Sequence, residues 1–156
     1  MTAPGREHPP GAGRFSREVI DPIAGEGPLR GLLTALDALS TSLLLVVTVD
    51  MPAVRKEQLL WLIDELKRRP QRLGLMTSRQ DAAGERIIEP FPSVFRDTAR
   101  PVIQSRVSDG ECSVHRLRED DRFEVLEAPP QWAFAGIWAN LNSPADLAAF
   151  EKGGRF

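Results

Sequence analysis

The sequence predicts an α/β fold, with a mostly parallel sheet and helices on both of its faces. Three observations carry this reading. The run Leu43-Leu44-Leu45-Val46-Val47-Thr48-Val49-Asp50-Met51-Pro52 is apolar until it stops at a carboxylate and a proline. A strand apolar on both faces is one covered on both faces. Stretches with apolar residues at three- and four-residue steps stand on either side of that run. Helix, strand, helix and strand therefore alternate along the chain, the pattern of a parallel sheet. Asp50 then falls just past a strand's carboxyl end, where open α/β sheets place their ligands.

Taken in order, residues 1–17 are rich in Pro, Gly and Arg and follow no apolar period, which predicts a disordered or loosely attached arm before a domain over 18–156. Glu18-Val19-Ile20 suits a very short strand. The next eight positions, ending in Gly25-Glu26-Gly27-Pro28, are dense in turn residues. Leu29, Leu32, Leu33, Leu36 and Leu39 then share one helical face, with Pro28 in the first turn. Ser40-Thr41-Ser42 breaks this helix ahead of the apolar strand. A second helix over about 56–69 presents Leu59, Leu60, Leu62, Ile63 and Leu66 and stops at Pro70.

Leu73-Gly74-Leu75-Met76-Thr77 predicts the next strand, and Ala83-Gly84 a turn. Between residues 87 and 95, Pro90 and Pro92 predict a strand that is short or at an edge. Residues 97–108 read as a helix weakened by Pro101, and Val114-His115-Arg116-Leu117 as a short helix after the Asp109-Gly110 turn. Residues 122–127 alternate as a strand, ended by Pro129-Pro130. Asn142-Ser143-Pro144-Ala145-Asp146-Leu147 is a helix start, with Ser143 as N-cap, Pro144 at the first position and Asp146 in the capping-box position. Gly153-Gly154 ends that helix.

Composition bounds the function. A chain of 156 residues suits one domain, and its net charge of -2 sets up no strong field toward nucleic acid or an anionic membrane. The single cysteine, Cys112, excludes an internal disulfide and suits a reducing compartment. No apolar run reaches membrane-spanning length and the N-terminus shows no secretory signal, so cytoplasm is the expected location.

Several groups admit both a chemical and a structural role. Asp50 at a strand tip suits Mg²⁺, which takes one or two carboxylates plus phosphate oxygens and water; it also suits a cap for the following turn. Gly27, Pro28, Leu29 and Arg30 open a helix mouth whose backbone amides suit an anion or a nucleobase edge, or simply a well-started helix. Arg30 reaches either phosphate or solvent. Asn140 and Asn142 share one side of an extended segment and suit a metal-bound water or a sugar, or the junction of a strand with a helix. Cys112 and His115 are three apart with no further His or Cys nearby, too few for a metal centre. Lys67, Arg68, Arg69 and Arg72 read as a solvated helix end.

Three motifs in order resemble one family: Gly27-Pro28-Leu29-Arg30-Gly31 before a helix, Val49-Asp50-Met51-Pro52 after a strand, and Asn140-Leu141-Asn142-Ser143-Pro144-Ala145-Asp146-Leu147 near the end. Over residues 19–151 the chain resembles the molybdenum cofactor guanylyltransferases and their nucleotidyltransferase relatives. The resemblance implies a three-layer Rossmann-like domain that transfers GMP from GTP-Mg²⁺ to the terminal phosphate of molybdopterin and releases pyrophosphate. It implies Asp50 as the catalytic residue holding Mg²⁺, Asn142 as a further metal or phosphate contact, and Asn140 as a supporting group. Gly27, Pro28 and Leu29 would lie against guanine or ribose, with Arg30 as part of the nucleotide site.

The chain departs from the family where its members carry a strand, a Gly-rich phosphate loop and a lysine. Gly11-Ala12-Gly13-Arg14 is an echo of that loop, without the strand before it or the matching lysine. The expectation is therefore an N-terminally shortened domain, with weak or no activity alone and an open edge on the strand at 43–49. A non-catalytic pterin-binding or assembly protein that pairs through that edge into a homo-oligomer is the alternative expectation, and a truncated gene product is a third.

Overall fold

The computed structural model describes residues 12–14, 16–22, 25–81, 83–133 and 137–153. Most of the predicted arm, including His8 and Gly11, lies outside them, as do Ile23, Ala24, Phe134 and Gly154. Ala12–Arg14 forms one short 3-10 turn.

The elements run α1 (Gly27–Asp37), β1 (Leu43–Val46), α2 (Lys56–Lys67), β2 (Gly74–Gln80), β3 (Arg86–Arg96), α3 (Arg100–Ser108), β4 (Phe123–Glu127), α4 (Pro130–Ala133) and α5 (Pro144–Gly153). The four strands form one sheet in the order β1-β3-β2-β4. The α/β class stands, and the sheet is mixed: β2 pairs antiparallel with β3 and parallel with β4.

Two expectations about strands are corrected. The apolar run at 43–49 yields only four strand residues, all half-buried, and not the doubly covered strand that the run predicts, while β1 stands at the sheet's edge, where an open edge is expected. Val47 is 42% exposed and Val49 99%. An apolar run alone does not distinguish a doubly covered strand from an edge strand leading into a turn.

Conversely, β3 is eleven residues long and lies between β1 and β2. Its prolines are tolerated because the ladder breaks there. Thr77 pairs with Glu89 and Leu75 with Val94, so residues 90–93 bulge opposite Met76 alone. Pro90 and Pro92 sit in the stretch that has no regular partner on β2. Pro101 likewise falls in the first turn of α3, where a proline's missing N–H costs nothing.

The chain packs as two compact units. The first, from Met1–Leu44 and Arg96–Leu117, is built on α1 against α3. Leu29, Leu32, Leu33 and Leu36 form the buried stripe the spacing predicts, and Ala99, Ile103, Val114 and Leu117 are also buried in this unit. Thr34 donates to Asp21 at 2.5 Å, and Arg100 pairs with Asp37 at 3.3 Å.

The second unit, Leu45–Phe95 with Arg118–Phe156, holds β2, β4 and nearly all of β3, with α2 packed on β2. Leu62, Leu66, Leu75, Met76, Val94, Phe95 and Phe123 are its buried core. At the end of α2, Lys67 and Arg68 are exposed, as a solvated helix end should be, while Arg69 and Arg72 are half-buried. Arg68 and Arg69 both reach Glu65, and Arg69 and Arg72 reach Glu124 at 3.5 and 2.9 Å. No helix among the described residues is long and apolar enough to cross a membrane.

Candidate functional site

In the second unit the chain leaves β1 and turns at residues 49–50, where Met51 donates its N–H to Thr48. Asp50 therefore lies four residues beyond the last residue of β1, in a turn and not at the strand tip. Met51 then enters a buried cluster with Ala128, Ile137 and Trp138, packed against Val54, Phe91 and Trp132. This cluster fixes the turn. Trp132 in turn meets the Trp61 ring edge-on, with centroids 5.0 Å apart.

Leu141 donates its backbone N–H to the Asp50 carbonyl at 2.9 Å. One bond thus brings two of the three sequence motifs together, placing Asn140 and Asn142 on either side of a residue anchored to Asp50. Both asparagines are exposed. The Asp50 carboxylate does not act as a cap. Its Oδ1 is buried and has no hydrogen-bond partner among the described residues. A buried acceptor without a donor costs free energy, and such exceptions in folded proteins ask for a reason.

The segment after Asn142 is held by the helix start that the sequence predicts. Asp146 accepts the N–H groups of Asn142 and Ser143 at 3.0 and 2.8 Å, and its own N–H donates to Ser143 Oγ at 3.2 Å. The Ser143 hydroxyl, followed by the Asn142 amide, holds the Asp146 carboxyl below its ordinary range. Asp146 is thereby committed to the helix, and Asn142 keeps its side chain clear of that capping network.

Gly27, Pro28, Leu29 and Arg30 belong to the first unit. Gly27 has φ +77°, and a Cβ there would stand 2.8 Å from Cys112 Cβ and 2.9 Å from the Cys112 carbonyl oxygen. That carbonyl accepts the Leu29 N–H at 3.0 Å, and the Leu29 side chain is fully buried. Leu29 therefore serves the fold on both counts. Arg30 is not solvated; it pairs with the Glu26 carboxylate one turn earlier. Pro28 is exposed, as is Gly27. A hollow elsewhere in this unit, beside Arg17, Ala38 and Leu44, touches none of these four residues.

No group of three or more His, Cys, Asp or Glu side chains suited to a metal is present among the described residues. The Asp50 corner has another chemistry. It offers one orphaned carboxylate oxygen and two exposed amides, an oxygen-donor set that suits a hard cation arriving with substrate phosphates. The residue that motif reasoning missed is Trp138, whose buried Nε1 also has no partner among the described residues. Nothing in the order of residues signals that; it appears only once the packing around Met51 is known.

The family model described as MobA-like NTP transferase domain matches residues 6–125. A Bacillus licheniformis protein named "Probable molybdenum cofactor guanylyltransferase" is 26% identical over 137 residues, which is 86% of this chain. The chain spans 65% of the length of that curated relative.

Among solved structures, "Molybdopterin-guanine dinucleotide biosynthesis protein A" from Archaeoglobus fulgidus superposes with a TM-score of 0.67 at 23% identity, over 90% of this chain and 70% of that one. The 4-diphosphocytidyl-2C-methyl-D-erythritol synthase of Anaerococcus prevotii superposes with a TM-score of 0.63 at 14% identity, over 87% and 67%. These two likenesses show a shared fold.

Proposed function

This chain belongs to the MobA-like NTP transferase domain family, and from that premise we propose that it carries a nucleotidyl-transfer site, moving GMP from GTP-Mg²⁺ to the terminal phosphate of molybdopterin. The observation that supports this best is the Asp50 carboxylate oxygen, buried and unpartnered in a turn that the Asn140-Leu141-Asn142 segment bonds directly.

In this reading Asp50, with Asn142, holds Mg²⁺. The cation supplies charge neutralisation on the phosphates and orients them. An oxygen of the acceptor phosphate attacks the α-phosphorus, the bond from that phosphorus to the bridging oxygen breaks, and pyrophosphate leaves. The protein contributes positioning and electrostatics and no covalent nucleophile. The chain's own part is a fixed carboxylate: its backbone is tied by Leu141 and its neighbour Met51 is buried, so the anion needs little reorganisation to receive charge. Asn140 orients the acceptor phosphate or a water near it. Gly27 and Pro28 present backbone to guanine or ribose, and Arg30 reaches phosphate only by exchanging Glu26 for it. A cytoplasmic setting belongs to the same reading.

Calorimetric titration with GTP-Mg²⁺ tests it. The expected result is weak saturable heat that disappears in Asp50→Ala and when Mg²⁺ is withheld. Heat that ignores both changes, or no heat at any attainable nucleotide concentration, removes the transferase reading.

A second reading has one observation of its own. β1 stands at the sheet's edge, and an unpaired edge is a template for another strand. A non-catalytic assembly protein would use it to pair with a second copy. Light scattering separates the two: a strictly monomeric, folded chain at high concentration argues against edge pairing.

A further inference from the structure

We propose that the indole N–H of Trp138 donates a hydrogen bond to a phosphate oxygen bound at the Asp50 corner, making Trp138 a binding residue of that site. The inference rests on the reading of this corner as a phosphate-handling site, and it adds a residue and a contact that the motifs do not contain. Trp138 is 8% exposed, and its Nε1 is among the buried polar atoms with no partner. An indole N–H is a donor only, and buried tryptophans ordinarily find an acceptor for it. Here it has none among the described residues, although Trp138 is held in place by Met51, Ala128 and Ile137.

Position makes the orphaned donor informative. Trp138 packs in one cluster with Met51, the residue after Asp50, and stands two residues before Asn140. Among the described residues, Trp138 thus carries an unpartnered buried donor in the cluster that fixes Met51, and Asp50, the residue before Met51, carries an unpartnered buried acceptor. The two do not satisfy each other. A ligand that answers both must offer an acceptor to the indole and a positive charge to the carboxylate. A phosphate oxygen accompanied by a divalent cation does so. The apolar surround of Met51, Ile137, Phe91 and Trp132 lowers the local dielectric, which strengthens such a bond once it is made. The phosphate has two sources, the nucleotide or the phosphate monoester of the acceptor.

The chain has three tryptophans, so its indole ¹⁵N–¹H spectrum has three signals. Trp138 is assigned as the signal lost in Trp138→Phe. If that variant does not fold, losses in Trp61→Phe and Trp132→Phe assign it by difference. The wild-type chain is titrated with GTP-Mg²⁺ and, separately, with glycerol 3-phosphate and Mg²⁺. The expected result is a saturable downfield shift of the Trp138 signal with one of the two, which names the source. Trp138→Phe then weakens that ligand about tenfold, the loss expected for one hydrogen bond to a charged group. A Trp138 signal that neither ligand moves overturns the inference. If GTP-Mg²⁺ heat depends on Asp50 while this signal stays still, the inference falls and the transferase reading stands. If the signal moves but no heat depends on Asp50, the phosphate contact stands and the transferase reading falls.

Discussion

Leu141 donates its amide N–H to the Asp50 carbonyl at 2.9 Å, so the turn after β1 and the segment before α5 are held as one piece. The bond uses the Asp50 backbone and leaves its side chain without work in the fold. Deleting that side chain should therefore cost the fold little. Asp50→Ala is expected to change stability by less than about 1 kcal/mol, because it removes an unpaired buried oxygen and no hydrogen bond. Urea denaturation measures this. A loss of about 3 kcal/mol or more would show that the carboxylate is a structural partner after all.

Gly27 leans on Cys112 in the first unit, with φ +77° and no room for a Cβ against the Cys112 backbone. Gly27→Ala is expected to lose about 2 to 3 kcal/mol, from left-handed strain plus displacement of the carbonyl that accepts the Leu29 N–H. Gly110→Ala is the control. It has φ +82° but nothing within 4 Å of the added methyl, so only the strain of about 1 kcal/mol applies. Equal losses in the two variants would mean that the Cys112 contact is not tight.

Helices were the legible part of this chain. The leucine spacing of α1 and the Ser143-Pro144-Asp146 start of α5 encode local geometry, and local geometry can be read from neighbours in sequence. The sheet was less legible because its order depends on distant pairing. Pro90 and Pro92 spoke against an interior strand, and only the bulge opposite Met76 makes them compatible with one. At the site, Asp50, Asn140 and Asn142 were visible as motif residues, and the bond through Leu141 joins them as a group. The burial of Leu29 and the Arg30–Glu26 pair were not visible, since a helix mouth looks the same in sequence whether it is open or filled. Trp138 stayed hidden because an orphaned donor is a property of packing.

Asp146 makes α5 sensitive to pH. The Ser143 hydroxyl and then the Asn142 amide hold its carboxyl below the ordinary range. A lowered folded-state value means that the stabilising contribution is present above the ordinary carboxylate range and disappears as pH falls through the lowered value. The protection of the Asn142 and Ser143 amides against exchange, relative to their intrinsic rates at each pH, should therefore fall only on acidification below that range, since both donate to Asp146. Ser143→Ala should raise the Asp146 value toward normal and lose about 1 kcal/mol through the missing cap. An Asp146 titration at the ordinary position in the unmodified chain would contradict the capping geometry.

Glu65 is a second carboxylate held below the ordinary range. Its side chain is 15% exposed and receives Arg68 and Arg69. The Arg69 guanidinium lowers its value first, burial works against that shift, and Arg68 adds to the lowering. The sign is again that of a depressed carboxylate: the stabilisation is full above the ordinary range and is lost as pH falls through the lowered value. Glu65→Gln keeps the shape and removes the charge. It should lose about 1 kcal/mol at neutral pH, since the bonds it weakens are charge-assisted but partly exposed to solvent. Below the lowered value wild-type Glu65 is protonated too, so the difference between the two proteins should vanish there. Urea denaturation of both across the acid range measures that convergence. A deficit that persists in acid would assign the effect to packing around the Glu65 stem and not to its charge.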